Sequence, residues 1–105
     1  MLFTSYLQNG KLTIALTGEI DHHCAKSYIQ AIHGKIEAYT PKICILDFRD
    51  VTFMDSSGIA VVINSMRTMK QIDGQLQLSG IGPQPMKVFQ ASGIDKLIEI
   101  REAKV

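Results

Sequence analysis

The run Ile43-Cys44-Ile45-Leu46-Asp47-Phe48 constrains this chain more than any other stretch. It is short and nearly continuously apolar, the pattern of a central strand buried on both faces. Helical periodicity stands on either side of it: Ala25, Tyr28, Ile29, Ile32 and Ile36 before, then Ile59, Val62, Ile63, Met66 and Lys70 after. A strand entered and left through helical crossovers lies parallel to its neighbours, so the chain is expected to be an α/β domain built on a mostly parallel sheet.

The remaining punctuation agrees. Asn9-Gly10 is a hairpin signal between residues 2–7 and the alternating run 11–17, in which Leu12, Ile14 and Leu16 share one face. Gly18 ends that strand and Asp21 is placed to cap the first helix, which carries Gly34 as a flaw and breaks at Thr40-Pro41. A loop is expected over 49–55 and a second helix from Ser56 or Ser57 to Asp73-Gly74. Residues 75–79 alternate as a strand and 80–84 form a loop. A third helix has Pro85 in its first turn and Gly93 as its C-cap, and residues 97–100 make a last strand. From Arg101 onward the chain is too polar to need order. The order is β-β-α-β-α-β-α-β in one domain over residues 1–105, a mixed sheet with helices packed against it; strand order is left open.

A chain of 105 residues, 46% hydrophobic and 20% charged, buries about 60–70% of its unfolded surface and needs no metal or disulfide staple. Its formal charge of +1 comes from scattered residues, which argues against nucleic acid as a partner. The longest apolar run, residues 59–63, is far short of a membrane span, and no basic segment opens a signal peptide. Cys24 and Cys44 show neither zinc nor disulfide spacing. The expectation is a soluble, cytoplasmic protein with two reduced cysteines and no cofactor.

Chemistry concentrates where the central strand meets the second helix, at Phe53-Met54-Asp55-Ser56-Ser57-Gly58-Ile59. A phosphate on Ser56 would face the free N–H groups and positive end of that helix, an environment that favours an anion, and Gly58 would allow close approach. The plainer reading makes Ser56 an N-cap worth about 1 kcal/mol. Asp21-His22-His23-Cys24 offers a carboxylate, two imidazoles and a thiol, the material of a small metal-dependent hydrolase. Adjacent helical positions diverge by about 100 degrees, however, and His33 is ten residues away. A Cys24 nucleophile with His22 or His23 as base lacks partners from distant segments. Gly80-Ile81-Gly82-Pro83 resembles a phosphate loop only superficially, because Pro83 removes a donor and no lysine follows. The methionines read as core filler, with Met54 placed to meet a partner beside the loop.

With these residues in view, the sequence resembles the STAS-domain family of bacterial anti-sigma factor antagonists. The resemblance rests on Leu16-Thr17-Gly18-Glu19-Ile20-Asp21-His22-His23, on Leu46-Asp47-Phe48 through Ile59, and on Ala91-Ser92-Gly93-Ile94. The stretch from Gly18 to His23 further resembles the sporulation branch, with general-stress antagonists close to it.

The resemblance implies a regulatory binding module and not an enzyme. The unmodified form would bind an anti-sigma factor serine kinase and free its sigma factor. That kinase, using its own ATP and magnesium, would phosphorylate Ser56 and end the complex, and a PP2C-type phosphatase would reset it. The partner surface implied by the match comprises Asp21, Met54, Asp55, Ser57, Gly58, Ile59 and Ala60. Cys24 stands where the family has a small polar residue, and a fourth, C-terminal helix of the family is expected to be absent or short. A different STAS role, as scaffold or general-stress antagonist, is the alternative within the fold.

Overall fold

Asn9 and Gly10 both take positive φ, 54° and 76°, so the chain reverses in a two-residue turn. This lays β1 (Phe3–Gln8) antiparallel on β2 (Lys11–Ile20). The structure, a computed structural model, describes residues 3–101. Beyond the hairpin come α1 (Ala25–Tyr39), β3 (Ile43–Met54), α2 (Ser57–Gln71), β4 (Gln75–Ser79), α3 (Pro83–Ser92), a 3-10 turn (Ile94–Lys96) and β5 (Glu99–Arg101). Strand order in the five-stranded sheet follows chain order, β1-β2-β3-β4-β5, with every pair after the hairpin parallel. The mixed, mostly parallel α/β sheet is as expected.

Three right-handed crossovers stepping in one direction put all three helices on one face of the sheet. Leu12, Ile14 and Leu16 of β2, Cys44, Leu46 and Phe48 of β3, and Leu78 of β4 meet Tyr28, Ile32 and Ile36 of α1, Val61, Val62 and Met69 of α2, and Phe89 of α3. Phe48 and Phe89 pack edge to face, with centroids 5.4 Å apart. The Tyr28 side chain is buried and its hydroxyl donates to the Thr17 carbonyl.

The structure corrects several expectations. The central strand is covered on one face only: Ile43 and Ile45 are half-buried on the side without helices. Asp47, also on that side, is held by the Arg49 backbone N–H at 2.9 Å and guanidinium at 3.0 Å. β3 does not end at Phe48 but runs on to Met54, so residues 49–54, expected as loop, belong to the sheet. Its register against β2 slips twice, between the pairs Ala15–Asp47 and Thr17–Asp50 and between Gly18–Val51 and Glu19–Phe53, each slip leaving one extra residue on β3. Such bulges break the period-two pattern by which a strand is read. Gly18 lies at the second slip with φ 83°, a conformation side chains resist. The third helix begins at Pro83, and the last strand is displaced beyond the 3-10 turn, leaving Leu97 73% exposed. Gly93 caps the third helix in the left-handed region, as expected. Arg101, where order was not expected, is the last residue of β5 and lies opposite Ser79. Residue 2 and residues 102–105, on which the start of the first strand and the remaining expectations for the C-terminus fall, lie outside the described residues.

Candidate functional site

The carboxyl ends of β2 and β3 lie side by side, Ile20 opposite Met54, and the Asp55 N–H donates to the Ile20 carbonyl at 3.2 Å. This brings Asp21 and Asp55-Ser56 to the same edge of a parallel sheet, where open α/β sheets place their functional loops. Only Asp55 and Ser56 separate β3 from α2.

The cap of α2 is made by Asp55, not by Ser56 as the plainer reading had it. Asp55 Oδ1 accepts the Ser57 N–H at 2.8 Å and its carbonyl accepts the Gly58 N–H at 3.0 Å. The Ser56 carbonyl takes the Ile59 N–H at 3.1 Å, while its side chain makes no capping bond and is exposed. A carboxylate therefore satisfies the helix end, and the neighbouring hydroxyl is left at the surface beside it.

Beneath this corner the packing is tight. Met54 is fully buried, so its side chain offers nothing to a partner, contrary to expectation. Gly58 is buried as well, and a Cβ there would run into the Met54 side chain; its smallness serves packing from below and not the approach of a partner. Ile59 is half-buried and Ala60 exposed, beside the exposed Ser56. The large apolar surface that the sequence reading missed is Phe53, 41% exposed and paired with Glu19 of β2. With β3 read as ending at Phe48, nothing assigned Phe53 a face.

Gln84, in the first turn of α3, was also missed. Its Oε1 accepts the Met54 N–H and its Nε2 donates to the Met54 carbonyl, both at 2.8 Å. No local signal links two residues thirty positions apart.

At the neighbouring strand end, Asp21 closes a turn ahead of α1. Its Oδ1 accepts the N–H groups of His23 at 3.0 Å and Cys24 at 3.3 Å, and the Cys24 thiol at 3.2 Å. The capping role expected of Asp21 is thus made in hydrogen bonds, although regular helix begins at Ala25. The Cys24 thiol outweighs the cost of burial and, with smaller help from the backbone donors of Cys24 and His23, holds the Asp21 carboxyl below the usual range. At Cys24 the backbone hydrogen bond to Asp21 works downward, but burial and the Asp21 carboxylate outweigh it and leave the thiol raised. A raised thiol already donating to Asp21 is poorly set as a nucleophile.

The alternative cluster does not assemble. The rings of His22 and His23 lie against each other, centroids 3.9 Å apart. His33 reaches Thr68 Oγ1 and Glu37 Oε1, both at 3.1 Å. Among the described residues no three His, Cys, Asp or Glu side chains converge as a ligand set, and no helix is long and apolar enough to cross a membrane. Cys44 sits in the core, its thiol pushed up to about 12 by burial.

Residues 4–104 match the STAS domain family. The anti-sigma F factor antagonist of Lysinibacillus sphaericus is 35% identical over 83 residues, which span 79% of this chain and 71% of that protein. The anti-sigma-B factor antagonist of Listeria monocytogenes is 27% identical over 96 residues, 89% of this chain and 81% of the other. Among solved structures, the anti-sigma factor antagonist SpoIIAA of Bacillus in its unphosphorylated form superposes with a TM-score of 0.82 at 30% identity. That match covers 97% of this chain and 88% of the other. The phosphorylated form of SpoIIAA gives a TM-score of 0.74, with 97% and 91% covered. The chain belongs to the STAS domain family, within its group of anti-sigma factor antagonists.

Proposed function

We propose that this protein is a phosphorylation-switched anti-anti-sigma factor. Unmodified, it binds an anti-sigma factor serine kinase and releases the sigma factor which that kinase holds. The kinase, with its own magnesium and ATP, then transfers the γ-phosphoryl group to Ser56 Oγ; ADP leaves and the hydroxyl proton is lost. A PP2C-type phosphatase restores the hydroxyl. The switch would operate in the cytoplasm, and the protein serves as substrate and ligand, not as catalyst.

The observation that carries this reading is the division of labour at the start of α2: Asp55 caps the helix, so the exposed Ser56 hydroxyl has no capping duty. A relative solved in both phosphorylated and unphosphorylated forms supports it. A charge near −2 added beside the Asp55 carboxylate would have to be desolvated in a close interface, which accounts for an off switch. The partner surface would gather Asp21, Asp55, Ser57, Ile59 and Ala60 with the exposed ring of Phe53, while Met54 and Gly58 hold it from beneath.

Sporulation is the favoured setting, because the 35% identical relative is an anti-sigma F factor antagonist; the sigma-B relatives make general stress the competing one. Calorimetric titration of the unmodified and Ser56-phosphorylated protein into the anti-sigma kinases of both pathways, with ADP or ATP present, tests the proposal. Tight binding by the unmodified form alone is expected, and equal binding by both forms would sink the switch.

A further inference from the structure

We infer that Gln84 is a positioning residue for Ser56, an assignment that rests on the phospho-acceptor role proposed above. Pairing between β3 and β4 ends at Asp47 opposite Ser79, so β3 continues for seven residues without β4 beside it. At the far end of that stretch the Gln84 amide takes the place of a strand. It accepts from the N–H and donates to the carbonyl of the same residue, Met54, each at 2.8 Å, as a residue of a paired strand does. On the other side β2 holds the corner through Ile20 and the Asp55 N–H. Met54 is thereby gripped from both edges and packed by Gly58 above, and it joins Phe53 to Asp55.

Gln84 stands between Pro83 and Pro85, the latter buried. Two fixed φ angles restrict the backbone from which the amide reaches, so less freedom is lost in making the pair of bonds. The direct contacts of Gln84 are with the Met54 backbone; its effect on Ser56 passes through Met54 and the Asp55 cap. A hydroxyl that must meet a phosphoryl group in line is sensitive to displacements of about 1 Å.

Gln84→Met keeps the length of the side chain and removes both bonds. Relative to the parent, the Met54 amide is expected to exchange hydrogen about tenfold faster, with the amide of Leu46 unchanged. Steady-state phosphorylation of Ser56 by an anti-sigma factor kinase, with ATP and magnesium, is expected to show kcat lowered about tenfold and KM within about twofold. Gln84→Glu keeps the acceptor for the Met54 N–H but, ionised, has no donor for the carbonyl, and should fall between the two; it also serves if the methionine variant fails to fold. Unchanged Met54 exchange, an unchanged kcat, or an effect on KM alone would overturn the assignment. A parent that takes no phosphate from either kinase removes the proposed function and this role with it; a parent phosphorylated no faster than the variants removes this role alone.

Discussion

Asp55 caps the second helix and leaves the Ser56 hydroxyl free of that task, and substitutions at the two positions should therefore act differently. Ser56→Ala should leave stability and kinase binding intact while abolishing a phosphate detectable by intact mass. Ser56→Asp should weaken binding about tenfold or more, roughly 1.4 kcal/mol, in the same calorimetric titration. Asp55→Ala loses the bond to the Ser57 N–H and should cost about 1 kcal/mol in urea denaturation. At Asp21 the carboxyl is depressed in the folded state, so its contribution is present above the unfolded-state pKa, about 3.9, and is lost as pH falls through the folded value. Asp21→Asn should accordingly flatten the acid limb of a stability-against-pH profile below about pH 4, with little change in slope near pH 7. The DSSG motif was legible from the sequence because its residue types and order carry it; the burial of Met54 and Gly58 was not. Which side of the strand end faces inward depends on a register two bulges upstream.

Among the elements, β3 marks the limit of what periodicity reveals. Its first half, from Ile43 to Phe48, was recognised as a strand; its second half alternates irregularly because two extra residues enter between Asp47 and Phe53. The bulges shift the strand end relative to β2, and that shift delivers Asp55 and Ser56 next to Asp21. Gly18 absorbs part of the irregularity at positive φ with open space around its Cα, so Gly18→Ala meets no clash and its cost is conformational. About 1–2 kcal/mol is expected from the change in urea midpoint, accompanied by faster amide exchange in residues 17–20. The first helix, by contrast, shows the expected stripe, with Ala25, Tyr28, Ile32 and Ile36 buried, because its tertiary contacts follow the 3.6-residue repeat. In the second helix the buried face is turned from the expected one: Val62 is buried, but Ile59, Ile63 and Met66 are half-buried and Lys70 exposed, while Gly58, Val61, Ser65, Thr68 and Met69 face the core. Helix ends moved by a few residues, at Ala25 and Pro83, where turns precede the regular helix.

Across the described residues, the strand order follows the chain, and one face of the sheet carries none of their helices. The continuous apolar run had suggested cover on both sides. Neighbouring residues of β3 should respond differently: Leu46→Ala, facing the helices and fully buried, should cost about 2–5 kcal/mol, while Ile45→Thr on the other face should cost under about 1.5 kcal/mol, both read from chemical denaturation. The same order of elements bears on synthesis. In a chain emerging from the ribosome, spatial neighbours in this sheet are also chain neighbours, so each strand emerges after the strand it pairs with. The corner that carries Ser56 is an exception, since β3 and α2 emerge well before Gln84, which closes it from α3. A nascent chain long enough to display Ser56 would still lack the Gln84 bonds to Met54, so this corner of the sheet is closed only after α2 and β4 have also emerged.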